Sequence, residues 1–317
     1  MEENAWNLPV TDFASEEQPG TQIAVSDLRP DVAAAFDGPT SFRDSFRSRV
    51  SQYYSVLIEK GFEVRIGGTA VPPMPLLLRS ADLGAVRGIA PYIYENDHDG
   101  VKTEVMVGFF APFDSDPDED PTAGRAEEAG WTIVCNDRVI VYKDKTNLTG
   151  WGDGAPNYHP QFRQISGLVT FTSSEPSKLP ITTTKQGVNI QNPLFMEVRK
   201  RMRDGLKQFT SFTNALKKID AKETEDLFRE TSPVEVTVLR SQVGKINSWK
   251  NERGGGRYFD PPLPKLIESN SRRMAFSRPN DQIKKVAIYL LGDAEAAPSD
   301  AAAAAFDHAL ELSKVRK

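Results

Sequence analysis

The sequence predicts an α+β fold. Two long stretches place their apolar residues on a single helical face. The first is Phe42, Phe46, Val50, Tyr53 and Leu57; the second, from Asn192 onward, is Leu194, Val198, Met202, Phe209, Phe212 and Leu216. Between them lie runs of strand length and composition: Val101 to Ala111, Trp131 to Val134, Arg138 to Tyr142 and Phe162 to Thr172. Proline-rich stretches at Pro72, Pro73 and Pro75, and at Pro261, Pro262 and Pro264, break the chain into segments.

Taken in order, residues 1–20 are polar and hold Pro9, Pro19 and Gly20, so they read as an extended or disordered tail. Thr21 to Val25 alternates and reads as a strand. The helix of about Ser41 to Lys60 meets Gly61, a C-terminal cap. Phe62 to Ile66 and Thr69 to Val71, with Gly67-Gly68 between them, read as a hairpin. Leu76 to Ile93 is mixed. Asp114 to Glu128 crowds Asp114, Asp116, Asp118, Glu119 and Asp120 into a solvated loop; Pro117 and Pro121 and the missing Gly-x5-Glu tail argue against a calcium loop. Asn136-Asp137 supplies a two-residue hairpin turn. Val234 to Leu239 reads as a short strand, 244–265 as a flexible connector, and Asp281 to Leu291 and Asp300 to Val315 as helices.

Composition removes several function classes. The chain has 317 residues, 26% of them charged, and a net charge of −5, so no global attraction to nucleic acid or anionic membrane follows. A lone cysteine, Cys135, permits no intrachain disulfide and sits in an expected strand as core. His98, His159 and His308 are far apart and form no zinc spacing. The first twenty residues lack the apolar region of a signal peptide, and no run of about 18 apolar residues exists. A cytoplasmic protein with no membrane partner is expected.

Four pieces then fall in a known order: Gly20-Thr21-Gln22-Ile23; the helix to Lys60 followed by Phe62-Glu63-Val64-Arg65-Ile66; Val134-Cys135-Asn136-Asp137-Arg138; and Thr184-Lys185-Gln186-Gly187. Across about residues 20 to 218 the chain resembles the C-terminal half of GHKL ATPases, the group of gyrase B, MutL, the large heat-shock chaperone and the MORC proteins. The first piece is similar to the Gly-Thr strand late in the ATP-binding domain. The second is similar to the passage into the transducer domain, and the third to the Val-Asn-Gly-Arg hairpin of MutL, with Asp137 in place of Gly. The fourth is similar to the transducer loop whose lysine reaches the γ-phosphate of ATP.

The resemblance implies residues 21–61 as a remnant of the ATP-binding domain and 62–218 as a transducer-like βαβ domain, a mixed sheet with helices on one face. Residues 219–317 follow as a connector and a small, mostly helical C-terminal domain. It implies Lys185 as the catalytic charge, with Thr184 and Gln186 as cofactor-binding neighbours. A lysine suits that role because its ammonium is compact and its stem flexible. By itself, a lysine in a polar loop is more often simply solvated.

The family's other signatures are missing: the helix with a catalytic Glu and a magnesium-binding Asn, the Asp-x-Gly-x-Gly motif and the Gly-rich lid. Asp153-Gly154 lacks the pattern. The chain is therefore expected to be a fragment, a split-gene half or a relative that lost its nucleotide site. It has no cofactor of its own; ATP and magnesium enter only with an ATP-binding half, on a parent chain or a separate subunit.

DNA and a second copy of the chain are further candidate partners. Arg138 matches a region that touches DNA in MutL-like proteins, and Arg199, Lys200, Arg201 and Arg203 make a candidate phosphate-binding face. Solvated arginines on a hairpin and on the outer face of a helix are the alternative. Arg253-Gly-Gly-Gly-Arg257 lacks the P-loop pattern. The rival to the transducer reading is a non-catalytic nucleic-acid-binding or protein-interaction module.

Overall fold

The computed structural model describes residues 20–21, 23–37, 41–84, 88–112, 127–185, 187–219, 221–266 and 276–315. The expected tail at 1–19, the acidic run within 113–126 and Gln186 lie outside them. α1 (Pro30–Asp37) and α2 (Ser41–Glu59) open the fold. Gly61 ends α2 with φ +97°, a left-handed conformation that glycine adopts without a Cβ penalty, and its N–H bonds the Ile58 carbonyl at 2.9 Å. A short hairpin of β1 (Arg65–Ile66) and β2 (Thr69–Ala70) follows, then β3 (Leu77–Ser80).

The main sheet begins with β4 (Tyr92–His98) and β5 (Val101–Phe109), and continues with β6 (Gly130–Cys135), β7 (Arg138–Asp144) and β8 (Ile165–Thr172). The long helix α3 (Pro193–Leu216), α4 (Ala221–Arg229), β9 (Ser232–Glu235) and α5 (Val236–Gln242) come next. β10 (Lys250–Asn251), β11 (Arg257–Phe259) and a helical hairpin of α6 (Asn280–Leu291) and α7 (Pro298–Val315) complete the chain.

Seven strands form one sheet in the order β10-β11-β4-β5-β8-β6-β7. β6 and β8 run parallel and every other neighbouring pair is antiparallel, so the sheet is mixed. β8 sits between β5 and β6 and is buried along nearly its whole length. Asn136 and Asp137 both take positive φ, +43° and +65°, as the tight turn between β6 and β7 requires.

Alternate residues of the strands feed two cores. On one face, Val105, Val107, Phe109, Trp131, Ile133, Val169 and Phe171 meet the buried stripe of α3, which includes Phe195, Met202, Leu206 and Phe209. On the other, Ile93, Met106, Val134, Val139 and Leu168 meet Val236 and Leu239 of α5, with Val56 of α2 packed alongside. Helices therefore flank both faces, where the sequence reading placed them on one. The reason lies in the strands. β5, β6 and β8 send buried apolar side chains to both sides, Val105, Ile133 and Val169 to one and Met106, Val134 and Leu168 to the other, so both faces need cover.

Three local expectations are corrected. Ile23 and Val25 are exposed and no strand forms over residues 23–26; alternation without a partner supplies no ladder. The expected strand Val234 to Leu239 ends at Glu235, and Val236, Leu239 and Val243 then fall at helical spacing into the second core. The connector at 244–265 contributes β10 and β11 to the edge of the sheet. Its glycines have work there: Gly254 and Gly255 turn with φ +106° and +93°, and a Cβ on Gly256 would stand 2.8 Å from the Tyr94 hydroxyl.

Trp131 fixes the fit of β6 against β8. Its ring lies over Gly167, where a Cβ would stand 2.4 Å from Cε3 and Cζ3. Since that ring is itself fully buried, Gly167→Ala should lower unfolding free energy by about 1–3 kcal/mol. Gly244→Ala, with no atom within 4 Å of its Cβ, should change it by less than about 0.5 kcal/mol. Urea unfolding of both variants checks this; equal midpoints would show that the tryptophan gives way freely.

Candidate functional site

The loop between β8 and α3 is built from its anchors inward. Asn136 and Ser173 exchange two hydrogen bonds: Asn136 Nδ2 donates to the Ser173 carbonyl at 2.8 Å, and the Ser173 N–H donates to Asn136 Oδ1 at 2.9 Å. Ser173 Oγ donates to the Gly100 carbonyl at 2.8 Å. The β4–β5 turn, the β6–β7 turn and the exit of β8 are thus tied together. Lys178 adds ion pairs to Glu175 at 3.0 Å and to Asp99 at 3.3 Å, and these partners raise its pKa above the ordinary 10.5.

Beyond this clasp, Leu179 and Val188 sink into the core, and Ile181 pairs with Val188 as an isolated bridge. The tip is closed by backbone bonds, Thr182 N–H to the Gly187 carbonyl at 3.0 Å and Lys185 N–H to the Thr182 carbonyl at 2.9 Å. The Thr182 and Thr184 hydroxyls lie 3.2 Å apart. Past the loop, Asn192 caps α3 by accepting from the N–H groups of Leu194 and Phe195, with Pro193 at the first helical position.

Lys185 stands at this tip with φ +55°. Of the six non-glycine residues with positive φ among the described residues, four are Asp or Asn, which tolerate it; the other two are Lys143 and Lys185. Lys143 is tethered: its ammonium donates to Ser166 Oγ at 2.9 Å, lies 5.8 Å from the Phe110 ring centre, and is lowered by burial to about 8. Lys185 is exposed, and its ammonium has no ion pair or hydrogen bond among the described residues. Thr184 beside it is exposed as well.

The other predicted site residues are scattered. Arg138 opens β7 opposite Cys135, half-buried, while its neighbour Asp137 pairs with Lys60, just past the end of α2, at 2.6 Å. The basic run of α3 divides between two sides of the helix. Arg199 and Arg203 both reach Asp153, at 2.8 and 3.3 Å, and Arg199 also bonds the carbonyls of Asn147 and Leu148. Arg201 pairs with Glu252 at 2.5 Å and Asp204 at 3.1 Å, above the Tyr94 ring. Only Lys200 of that run has no ion pair among the described residues.

No protein family matches the chain, and neither does any curated protein. Among solved structures, the B subunit of DNA gyrase from Myxococcus xanthus is similar at 13% identity and a TM-score of 0.27, over 41% of this chain and 38% of that one. The similarity is weak, and the chain spans well under half of the gyrase subunit.

Sequence reasoning missed a second polar site, on the opposite face of the sheet. A cavity of about 280 Å³ lies between α2, α5 and the strands. Glu104 of β5 lines it. Its carboxylate takes Lys102 Nζ at 2.9 Å, Arg240 Nε of α5 at 2.8 Å and the Thr170 hydroxyl at 3.2 Å. One cross-strand rung carries the charges outward, since Glu104 faces Glu95 and Glu95 faces Arg257, which bonds it at 2.6 Å. The signal was present as Lys102 and Glu104, two charges on one pleat of an otherwise apolar strand. Arg240, distant in sequence and on a misread element, left no such trace. No group of three His, Cys, Asp or Glu among the described residues could hold a metal ion, and no described helix is long and apolar enough to cross a membrane.

Burial of Glu104 works to raise its pKa, but Arg240, Lys102 and Thr170 together hold it below the ordinary 4.5. The folded state therefore binds this proton less tightly than the unfolded chain does. The resulting stabilisation is present above the unfolded pKa and disappears as pH falls through the folded one. Glu104→Gln leaves Arg240 without its carboxylate and should destabilise by about 1–3 kcal/mol at pH 7, less than a fully buried pair because Arg240 keeps some contact with water. The variant should also lose less stability than the parent on acidification below pH 4.5. Denaturant midpoints across pH 3 to 7, roughly the carboxylate titration range, check both expectations.

Proposed function

We propose that this chain is the transducer half of a GHKL-type ATPase, coupling ATP state to domain movement in DNA-related work. It supplies Lys185 to the γ-phosphate of an ATP held by a separate ATP-binding half. One observation carries the reading: a lysine with a left-handed backbone, its ammonium free among the described residues, set on a braced loop between a sheet strand and a helix. A non-glycine residue held at positive φ by surrounding bonds points to function more often than an unconstrained loop lysine does. The mixed sheet flanked by helices supports the same reading.

In this scheme ATP and magnesium belong to the partner half, which supplies the reacting phosphoryl group. What this chain adds is charge at a fixed place. The Lys185 ammonium offsets negative charge on the γ-phosphoryl, and preorganised charge of this kind is a main catalytic contribution in phosphoryl transfer. Thr184 and Gln186 flank it as the cofactor-binding neighbours. When the γ-phosphate is gone the contact has no partner, and a differential of about 1–3 kcal/mol is enough to shift the balance between domain arrangements.

The test combines the chain with a GHKL ATP-binding half and measures ATP turnover. Lys185→Ala should lower kcat about 10²–10³-fold, the effect of removing one charge-stabilising donor, with a small change in KM. Lys285→Ala, at an exposed position on α6, should leave turnover unchanged. Equal turnover with and without the Lys185 ammonium would overturn the proposal.

A further inference from the structure

Among the described residues, two apolar faces at opposite ends of the chain stand exposed. On α2, Phe42 and Phe46 stack at 6.2 Å, Phe36 of α1 abuts Phe42 edge-on at 5.0 Å, and Phe42 and Phe46 are 39% and 48% exposed. On α7, Phe306 and Leu310 are 52% and 46% exposed, although Ala287 and Ala301 are buried where α6 meets α7.

The two faces match in pattern and are opposite in charge. Phe42 and Phe46 stand four residues apart, each followed by an arginine, Arg43 and Arg47. Phe306 and Leu310 stand four residues apart, each followed by an acid, Asp307 and Glu311. Residues i and i+4 share a helical face, and i+1 and i+5 form a column on one flank of it. Each helix thus presents an apolar pair with a charged column on the same flank. Turning one helix end for end against the other keeps those flanks on the same side. Antiparallel contact then sets Phe42 against Leu310 and Phe46 against Phe306, with Arg43 beside Glu311 and Arg47 beside Asp307. Among the described residues Arg43, Asp307 and Glu311 have no ion pair; Arg47 uses one of its five donors on the Ile66 carbonyl at 3.1 Å.

We propose that α2 of one copy docks antiparallel on α7 of a second copy, and the reverse, forming a two-fold dimer of this chain. Complementary faces that one chain leaves open are closed by such a symmetry without exposing a further site. The interface is independent of the Lys185 reading, since neither helix carries that loop.

Charge reversal on the full chain tests it. Arg43→Glu with Arg47→Glu makes both faces acidic, and Asp307→Lys with Glu311→Lys makes both basic. Either double variant alone should dimerise at least about tenfold more weakly than the parent in sedimentation equilibrium, because every exposed pair becomes repulsive. Mixed in equal amounts, the two should form a one-to-one heterodimer, since each acidic face then meets a basic one. Far-UV circular dichroism confirms that both variants retain their helices. A monomeric parent chain, dimerisation indifferent to the reversals, or a mixture that stays separate would each overturn the proposal, the last by showing the contact to be within one chain.

Discussion

Asn136 and Ser173 hold each other by two hydrogen bonds, and the loop that follows β8 starts from that clasp. An amide side chain satisfies a backbone donor and acceptor at the point where a buried strand leaves the sheet. Were either group buried without its partner, the loss would be about 1–3 kcal/mol. The serine hydroxyl extends the clasp to the β4–β5 turn. Two turns and the end of β8 are thereby tied at one corner, from which the loop bearing Lys185 projects. On the proposed reading, a charge that meets a phosphate at hydrogen-bonding distance needs such a base, because small errors in placement remove most of the benefit.

The opposite face works by different means. There a polar network inside a largely apolar layer joins α5 to the sheet: Glu104, Arg240, Lys102 and Thr170 answer one another's charge and hydrogen-bonding capacity. The ion pair of Lys60 with Asp137 links the end of α2 to the same turn whose first residue is Asn136. The clasped corner is thus reached from both layers, by hydrogen bonds from one side and by an ion pair from the other. Its three-dimensional position follows from packing that begins far from it in sequence.

Much of this was legible beforehand. The spacing of Leu194, Val198, Met202 and Phe209 announced α3, and Asn136-Asp137 announced a tight turn, because helical periodicity and turn chemistry are local properties. Lys185 stood out for its setting between strand and helix. What could not be read was non-local. No pattern in the sequence shows that β8 lies between β5 and β6, that Asp153 and Glu252 occupy the arginines of α3, or that Arg240 travels on a helix to meet Glu104. Val236 and Leu239 looked like strand residues because the four apolar positions among residues 234–239 fit either period; burial of Val243 one turn later decides for the helix. The triple glycine at 254–256 looked like slack, and its purpose shows only against Tyr94 on a strand some 160 positions earlier in the chain.

The central claim is that Lys185 comes within reach of a γ-phosphate held by another half. An acyl-phosphate derivative of ATP tests this directly, because a lysine amine at the phosphate attacks the acyl carbon, forms an amide and releases ATP. With the ATP-binding half present, mass spectrometry should find Lys185 acylated, and excess ATP should protect it. Acylation of the partner half with Lys185 untouched would contradict the account.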